Sequence, residues 1–333
     1  MSKLLAKLQK NTTLKHVDTM AHSTFFNDRD VVSTDVVMLN IALHGSIHGG
    51  VTPGLTTIAA PSAHFKSLLG LFMVAAYMKK YKDAVCIFYD SEFGSPPEYL
   101  KNYDIDIDRV LHCPVTSLED LRTDMAVQIK EINRGDKVII FIDSVGNLAS
   151  LKETKDAEEG NSAADFTRAK VLKSTFRIVT PQFLLKDIPC ICINQVYDSM
   201  DKYNPHTMSG GNGIRFASNS VFFMSKSQEK DGTELAGYKF TIIANKSRNV
   251  REKSKFPLTV LFETGINKYS GRLDLAVELD FVRKPKMGWY NRVIDGVMEE
   301  KGWRAKATDT EEFWDPILKD PKFDEACINR YKL

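Results

Sequence analysis

The stretch from Leu55 to Ser67, LTTIAAPSAHFKS, decides the fold class of this chain. A short apolar run leads to Pro61, and Lys66 and Ser67 then open an amphipathic pattern that predicts a helix ending near Lys80. A strand, a turn and a helix in this order form a phosphate-binding loop, because the free N–H groups at the start of the helix face an anion. In such a loop the lysine reaches the β- and γ-phosphates, and the hydroxyl holds Mg²⁺.

The match to this kind of loop is incomplete. The consensus G-x-x-x-x-G-K-[ST] requires two glycines, whereas Ala60 and Phe65 occupy these two positions. Taken alone, the stretch therefore also fits a buried strand followed by a helix whose first turn carries a lysine and a serine. The choice between the two interpretations depends on the strands that follow.

The sequence beyond this stretch alternates between apolar runs and amphipathic segments. Nearly continuous apolar strands that alternate with helices predict an α/β fold, with a mostly parallel sheet covered by helices on both faces. Ligands bind at the carboxyl ends of the strands in such sheets. The predicted strands include Val85–Glu92, Arg109–Val115, Lys137–Ser144 and Pro189–Gln195, and the predicted helices include Ser33–Leu43, Ser67–Lys80 and Ala164–Leu185.

Three of these strands are predicted to end in polar side chains. Asp143 is in the position where a carboxylate lies beside the Mg²⁺ bound to the Ser67 hydroxyl. Glu92 is in a position where a general base polarises a water for attack on the γ-phosphate, and Gln195 suits a sensor of that phosphate. Each residue alone is also explained as a cap, a turn residue or a solvated strand end. Their arrival in order at strand ends favours a nucleotide site.

Three further segments are candidates for ligand contacts. Residues 151–161, LKETKDAEEGN, are highly charged and lack periodicity, and residues 196–219 contain three glycines and little apolar content. Both are predicted to be flexible loops, and long loops inside compact domains are usually functional. The cationic segment KSRNVREKSK, Lys246–Lys255, is either a solvated loop or the source of an arginine finger, within this chain or across a subunit boundary.

The two ends of the chain differ in pattern from the middle. Residues 1–30 are predicted to hold an amphipathic helix and a linker that dock on their own core or on a neighbouring subunit. The apolar stripe of this helix consists of Leu4, Leu5 and Leu8. Residues 269–333 are predicted to form a small module in which basic residues are mixed with aromatic ones, either as a nucleic-acid surface or around a buried core. Its aromatic candidates are Trp289, Tyr290 and Trp303.

The composition argues against a disulfide-stabilised protein, a membrane-spanning protein and an exported protein. The net charge of +2 does not indicate a particular partner. The five cysteines lie mostly within apolar runs, which indicates reduced thiols in a cytosolic protein rather than a disulfide framework. Neither an apolar run of about 18 residues nor a cleavable leader is found, so we expect a cytoplasmic location without membrane span or export.

Several motifs, in this order and context, resemble the RecA family of strand-exchange recombinases, and most closely its bacteriophage UvsX branch. The resemblance runs from about Val31 to the end of the chain. Its most specific pieces are VVSTDVVMLNIAL, FYDSEFG followed by Tyr99, VIIFIDSVGNLAS, INQ and MSGGNGIRFAS. The resemblance implies a RecA-like P-loop ATPase core over residues 31–268, an N-terminal polymerisation helix and linker over residues 1–30, and a C-terminal α/β DNA-binding module over residues 269–333.

Residue by residue, the resemblance implies that the chain binds and hydrolyses ATP with Mg²⁺. The implied ATP-binding residues are Ala60, Pro61, Ser62, Ala63, His64, Phe65, Lys66, Ser67, Tyr99 as the adenine-stacking aromatic, and Asp143, of which Ser67 and Asp143 hold the metal. The implied catalytic residues are Glu92, Lys66 and Gln195, together with Lys246 and Arg248, which would reach ATP from the adjacent protomer. The implied DNA-binding residues, in two loops, are Arg168, Met208, Gly210, Gly211, Asn212 and Arg215.

The chain departs from this pattern within the phosphate loop. The UvsX branch accepts phenylalanine where Phe65 stands, but it normally has glycine where Ala60 stands and a basic or polar residue where Ala63 stands. Alanine takes positive φ less readily than glycine, and it offers no polar side chain to a phosphate. The rate of hydrolysis is the property that these two changes are expected to affect.

The function implied by the resemblance is that of an ATP-dependent recombinase. It would form helical filaments on single-stranded DNA and exchange strands with a homologous duplex in phage recombination, repair and recombination-dependent replication. The expected partners are single- and double-stranded DNA without sequence preference, further copies of the chain, and mediator and single-strand-binding proteins, with no membrane. Two alternatives are a nucleotide-dependent DNA-coating protein without significant hydrolysis and a hexameric replicative helicase on the same core.

Overall fold

The computed structural model describes residues 2–14, 17–23, 30–160, 167–198 and 206–333. The chain divides into two compact units, residues 1–30 and residues 31–333. In the first unit, helix α1 (Lys3–Asn11) begins after Ser2, whose hydroxyl accepts the N–H of Leu5 at 3.1 Å. No α1 residue is buried, and Leu4 and Leu8 are 65% and 60% exposed. The predicted amphipathic helix is therefore present, and its apolar stripe is exposed.

The second unit is built on a ten-stranded sheet. Its strands are β1 (Gly54–Ala60), β2 (Val85–Asp90), β3 (Val110–Pro114), β4 (Val138–Asp143), β5 (Pro189–Asp198), β6 (His206–Met208), β7 (Ser220–Asp231), β8 (Glu234–Ser247), β9 (Lys255–Leu261) and β10 (Gly265–Ile266). The order is β10-β9-β8-β7-β1-β5-β4-β2-β3, with β6 paired to β5. Strands β7, β1, β5, β4, β2 and β3 run parallel, and β8 to β10 add an antiparallel edge. The predicted mostly parallel sheet is confirmed.

Helices cover both faces of this sheet, as the sequence predicted. The helices of residues 31–268 are α2 (Val37–His44), α3 (Lys66–Lys80), α4 (Pro97–Lys101), α5 (Leu118–Glu131), α6 (Leu151–Glu158), α7 (Thr167–Leu185) and α8 (Asn212–Ala217), with a 3₁₀ turn at Ile107–Arg109. Along β5, Ile191 and Ile193 join the hydrophobic cluster of α2 and α3, whereas Cys190 and Cys192 join that of α5 and α7. This is the alternation of a strand buried on both faces. Among the described residues, no helix has the length and apolar content needed to cross a membrane.

Residues 269–333 form a smaller α/β arrangement within the second unit. It consists of α9 (Arg272–Glu278), β11 (Val282–Lys286), β12 (Trp289–Ile294), β13 (Val297–Met298), β14 (Trp303–Arg304), a 3₁₀ turn (Ala305–Thr308), α10 (Glu311–Leu318) and α11 (Pro321–Tyr331). Strand β12 pairs with the other three strands. Helix α11 returns to the large sheet, since the N–H of Arg251 donates to the carbonyl of Tyr331 at 2.8 Å and the Tyr331 ring lies 5.1 Å from that of Phe256.

The charged segment predicted as the first loop contains a helix. Helix α6 begins with a capping box, in which the Ser150 hydroxyl accepts the N–H of Glu153 and the Glu153 carboxylate accepts the N–H of Ser150. Ion pairs one turn apart, Lys152 with Asp156 and Lys155 with Glu159, also support it. The prediction of a loop was wrong here because the helix is polar on all sides and lacks the apolar period. Residues 161–166, at the end of this segment, lie outside the described part of the chain.

The segment predicted as the second loop is also largely ordered into elements. Strand β5 continues three residues past Gln195 to Asp198 and pairs antiparallel with β6, with Tyr197 opposite Thr207. Helix α8 follows before β7 begins. The prediction that Gln195 ends its strand was therefore wrong. Residues 199–205 lie outside the described residues, so the predicted loop is tested only on either side of them.

The packing of α3 on the sheet requires glycine at position 70. A Cβ on Gly70 would lie 2.4 Å from Cε2 of Phe141 and 3.3 Å from Cδ1 of Ile193. We expect Gly70→Ala to lower the free energy of unfolding by about 1–3 kcal/mol, because overpacking outweighs the gain of about 1 kcal/mol in helix propensity. Chemical denaturation measures this change. Gly94→Ala is the control, since a Cβ there meets nothing within 4 Å; an unchanged or stabilised Gly70→Ala protein would contradict the prediction.

Candidate nucleotide-binding site

The register of the parallel strands brings the predicted site residues to one edge of the sheet. Ala60, at the end of β1, lies opposite Gln195 of β5, and Asp90, at the end of β2, lies opposite Asp143 of β4. A cavity of about 330 Å³ opens at this edge. It is lined by residues of four predicted groups, namely the phosphate loop from Ser62 to Leu68, the Glu92–Ser95 turn with Tyr99, Asp143 and Gln195.

The phosphate loop is built without the glycines of the consensus. Ala63 and Phe65 have φ values of 56° and 53°, in the left-handed region that favours glycine. Phe65 is also the N-cap residue of α3. A non-glycine residue in this region costs roughly 1–2 kcal/mol, so the surroundings must hold both residues in place.

The antiparallel edge of the sheet provides this support. The ring of Phe65 packs 5.6 Å from that of Phe240 and 6.1 Å from that of Tyr238, both on β8. The Nζ of Lys226, on β7, donates to the carbonyl of Ala63 at 2.9 Å and lies 4.4 Å from the Tyr238 ring centroid. Phe65 thus contributes an aromatic anchor where a glycine would contribute none.

Lys66 is buried and turned back on its own loop. Its Nζ donates to the carbonyl of Pro61 at 2.9 Å. Burial lowers the pKa of this ammonium, and the carboxylates of Glu92 and Asp143 act in the opposite direction. The ammonium is therefore positioned at the cavity with one carbonyl partner, which a phosphate oxygen is able to replace.

Asp143 and Ser67 have the chemistry of a divalent-cation site. Burial, together with the charges of Glu92 and Asp90, raises the pKa of the Asp143 carboxyl to about 6, although a hydrogen bond from Ser67 and the charge of Lys66 lower it. Oδ1 of Asp143 is buried and finds no hydrogen-bond partner among the described residues. An orphaned carboxylate oxygen beside a hydroxyl fits Mg²⁺, which prefers oxygen ligands and lowers the cost of burying a negative charge.

Glu92 lies beyond its strand, in a turn that Asp90 holds. The Oδ1 of Asp90 accepts the N–H groups of Glu92 and Phe93 at 3.0 and 2.8 Å, and Phe93 has a φ of 55°. The hydroxyl of Ser144 donates to Oε1 of Glu92 at 2.7 Å. The sequence placed Glu92 at the end of a strand, but β2 ends at Asp90, and the turn aims the Glu92 carboxylate into the cavity from the side.

Tyr99 and Gln195 complete the lining of the cavity. Tyr99 is half-buried in α4 with its ring 5.3 Å from that of Tyr103, and burial raises the pKa of its hydroxyl. Gln195 donates from Nε2 to Oδ1 of Asn147 at 2.7 Å and accepts from the Tyr197 hydroxyl at 3.0 Å. Both predicted residues therefore lie at the cavity, and the Gln195 amide has a side-chain partner at each polar end.

Family models match almost the whole chain. Residues 1–267 match the RecA N-terminal domain, and residues 269–327 match the C-terminal domain of the bacteriophage T4 recombination and repair protein. The chain belongs to the RecA family. This confirms the resemblance found in the sequence, and a recombinase role follows from it, whereas neither the coating-protein nor the helicase alternative is favoured.

Individual relatives agree with this membership. The recombination and repair protein of Enterobacteria phage T4 is 50% identical over 339 residues, which cover 100% of this chain and 87% of that protein. The RecA proteins of Acholeplasma laidlawii and Clostridioides difficile are 27% and 26% identical, over 85% and 87% of this chain and 82% and 81% of theirs. Nucleotide binding with a metal is therefore expected of this chain.

Two of the predicted DNA-binding side chains are engaged inside the protein. The guanidinium of Arg168, on α7, donates to the carbonyls of Val145, Gly146 and Leu148 at 2.8–3.0 Å. Met208 is buried in the hydrophobic cluster of α5 and α7. Both side chains thus support the fold in this arrangement, and their direct contact with DNA would require them to leave these positions.

The other predicted DNA-binding residues are more accessible. Asn212 is exposed, and Gly210 and Gly211 have φ values of 79° and 72° in the turn before α8. Arg215 is half-buried and donates from Nε to Oδ1 of Asn245 at 3.1 Å. Their contact with DNA stays a prediction.

The two predicted intersubunit cations differ in their surroundings. The Nζ of Lys246 donates to the carbonyls of Arg215, Phe216 and Ser218 at 2.7–3.1 Å, which satisfies the C-terminal end of α8, and burial lowers the pKa of this ammonium. Arg248 is exposed. The structure therefore gives Lys246 a role within its own chain, and the contact of either residue with a neighbour's ATP stays a prediction.

Of the three aromatic residues predicted for a nucleic-acid surface, one belongs to the core. Trp303 is buried, with its ring 5.4 Å from that of Phe313. Trp289 is half-buried with Lys286 and Arg304 4.8 and 4.3 Å from its ring centroid. Trp303 therefore fits the buried-core alternative. Trp289 fits the alternative of a surface on which cations are mixed with aromatic rings.

Sequence reasoning missed several supporting residues. Asp90 lies two residues before Glu92, and Ser144 directly follows Asp143. Both residues were therefore visible in the sequence beside predicted site residues. Lys226 acts on a loop 163 residues away, and no local pattern indicates such a contact.

The raised pKa of Asp143 predicts a pH-dependent effect of Asp143→Asn. Because the folded-state pKa lies above the ordinary value, folding favours the protonated carboxyl, and its contribution to stability is lost as pH rises from about 4 to above 6. With metal chelated, Asp143→Asn should raise the free energy of unfolding by up to about 3 kcal/mol near pH 8 and by only about 1 kcal/mol near pH 4.5. Chemical denaturation at both pH values tests this. Asp83→Asn, at an exposed carboxylate, is the control; an equal effect of Asp143→Asn at both pH values would contradict burial of the ionised carboxylate as the cause.

Proposed function

We propose that this chain is an ATP-dependent recombinase that polymerises on single-stranded DNA and exchanges strands with a homologous duplex. The observation that carries the proposal is the convergence of Lys66, Ser67, Glu92, Asp143 and Gln195 on one cavity at the carboxyl edge of a RecA-type sheet. A site that binds nucleotide only structurally needs Lys66 and Ser67. A general base, Glu92, and a polar sensor, Gln195, at the same cavity indicate hydrolysis that is coupled to another event.

The phosphate loop, residues 60–67, would hold the triphosphate. Its backbone N–H groups and the start of α3 would bind the phosphates, and the Lys66 ammonium would exchange the Pro61 carbonyl for the β- and γ-phosphates. Ser67 and Asp143 would hold Mg²⁺, which neutralises developing phosphate charge. The half-buried Tyr99 offers an aromatic face for the adenine.

Glu92 would act as the general base. Its carboxylate is exposed to the cavity and oriented by the Ser144 hydroxyl at one oxygen, which leaves the other free to accept a proton from water. Arg248, and Lys246 after release from its own carbonyls, would stabilise the phosphates across a subunit boundary. Gln195 would report the presence of the γ-phosphate to β5 and β6.

Polymerisation and DNA binding are assigned to the remaining surfaces. The exposed leucine stripe of α1 in residues 1–30 would pack on a neighbouring protomer. Arg215, the Gly210–Asn212 turn and, after rearrangement, Arg168 would contact single-stranded DNA, and the module of residues 269–333 would contact duplex DNA through its cations and Trp289. Contact through phosphates predicts affinity without sequence preference that falls with salt. Mediator and single-strand-binding proteins would assist loading in the cytoplasm of a phage-infected cell.

The first prediction concerns filament formation. Among the described residues that line the cavity, Lys66 is the only lysine or arginine, and Lys66→Ala removes it. We expect the variant to lose ATP-dependent filaments on single-stranded DNA in electron microscopy with a slowly hydrolysed ATP analogue. Lys79→Ala, at the exposed other end of α3, is the matched control. Unchanged filaments with Lys66→Ala would refute the assignment.

The second prediction separates hydrolysis from binding. Glu92→Gln keeps the size of the side chain and the acceptor for Ser144, but it removes the base. We expect turnover to fall by roughly 10²-fold or more while nucleotide binding is kept. Phosphate release with single-stranded DNA, together with binding of a fluorescent nucleotide, measures both quantities. Glu98→Gln, at an exposed glutamate of α4, is the control. Phosphate release at the wild-type rate would reject the general-base role.

A further inference from the structure

The amide of Gln195 is held at both of its polar ends. Nε2 donates to Oδ1 of Asn147 at 2.7 Å, and Oε1 accepts from the hydroxyl of Tyr197 at 3.0 Å. We refer to this arrangement of Asn147, Gln195 and Tyr197 as the Gln195 clamp. The two partners belong to different parts of the fold, since Asn147 follows β4 and Tyr197 lies on β5.

The Asn147 side of the clamp is fixed by the core. Arg168 donates to the carbonyls of Val145, Gly146 and Leu148, on both sides of Asn147. Gly146 leaves room for the glutamine, because a Cβ at this position would lie 2.8 Å from Cγ of Gln195. The segment carrying Asn147 is therefore a rigid support against which the Gln195 side chain lies.

The Tyr197 side of the clamp belongs to the hairpin of β5 and β6. Tyr197 is paired with Thr207, and the carbonyl of Gln195 accepts the N–H of Ser209 at 2.9 Å. The amide of Asn194 donates to the carbonyl of Ser209 at 3.1 Å. A movement of Gln195 that displaces the Tyr197 hydroxyl thus acts on the hairpin that leads to the Gly210–Asn212 turn.

We propose that Asn147 and Tyr197 are positioning residues that hold the Gln195 amide through these two hydrogen bonds and oppose its engagement by a γ-phosphate. This rests on the sensor role proposed above for Gln195. A phosphate oxygen accepts hydrogen bonds, so the group of Gln195 that would bind it is Nε2, which donates to Asn147 in this structure. In this arrangement the Tyr197 hydroxyl donates to Oε1, the other end of the same amide.

The clamp sets a threshold for coupling between nucleotide and hairpin. Turning the amide towards a phosphate gives up two hydrogen bonds, each contributing about 0.5–1.5 kcal/mol net. By linkage, whatever displaces Tyr197 from Gln195 favours the nucleotide, and the nucleotide favours displacement of Tyr197 to the same degree. A protein lacking the clamp should reach its DNA-binding state at lower nucleotide concentration.

The test uses two variants of the full chain. Tyr197→Phe removes one hydroxyl from a ring that is 54% exposed, and Asn147→Ala truncates an exposed side chain, so neither endangers the core. The measured quantity is the concentration of a slowly hydrolysed ATP analogue that gives half-maximal binding to labelled single-stranded DNA by fluorescence anisotropy. We expect each variant to lower it by about 2- to 10-fold, the range that one lost hydrogen bond gives. Asn133→Ala, at an exposed asparagine after α5, should leave it unchanged.

The outcomes distinguish the clamp from the function on which it rests. If both variants respond to the analogue at the wild-type concentration or a higher one, the clamp does not oppose the nucleotide and the proposal is overturned. If the wild type binds DNA regardless of the analogue, the proposed ATP-dependent function fails first. Gln195→Ala tests the sensor role by itself. Loss of the DNA-binding response to the analogue in this variant supports the sensor role independently of Asn147 and Tyr197.

Discussion

The parallel register of β1, β5, β4 and β2 is the constraint on which the site depends. It sets Ala60 level with Gln195 and Asp90 level with Asp143, at the edge where the N-terminus of α3 also lies. Each strand is buried on both faces, so a slip by one residue would exchange the two faces of the core and move every terminal side chain. Packing of the apolar interior therefore fixes the positions of the polar groups that line the cavity.

The phosphate loop shows how a strained conformation is kept without the residue that normally permits it. Ala63 and Phe65 have positive φ, and the compensating contacts come from strands β7 and β8 rather than from the loop itself. Phe65 has less backbone freedom than a glycine would have, but its ring packs on β8. Lys226 donates a hydrogen bond to the carbonyl of Ala63. A loop held from outside is preorganised, which lowers the entropy lost when a phosphate binds.

The sequence was sufficient for features that depend on local pattern. Apolar runs predicted the strands, and the structure brings Lys66, Asp143 and Gln195 to one cavity as their order in the sequence predicted, while their roles there stay predictions. It was insufficient where a side chain serves a distant group. Arg168 and Lys246 read as cations for DNA or ATP, yet both donate to backbone carbonyls of turns and helix ends. Charge is visible in a sequence, but the carbonyls that a fold leaves without partners are not.

The electrostatics of the cavity give a physical basis for the proposed coupling of ligand binding to conformational change. Burial raises the pKa of Asp143 and lowers that of Lys66, so each group is costly to keep ionised without a ligand. Mg²⁺ beside Asp143 and a phosphate beside Lys66 would relieve both costs, and binding would then gain free energy from groups that the fold holds unfavourably. Gln195 carries no charge, and it faces the same cavity with its amide already satisfied. Under the proposed function, the charged residues would favour the nucleotide and the neutral Gln195 would resist it until its partners are displaced, and this opposition would make the hairpin of β5 and β6 respond to what occupies the cavity.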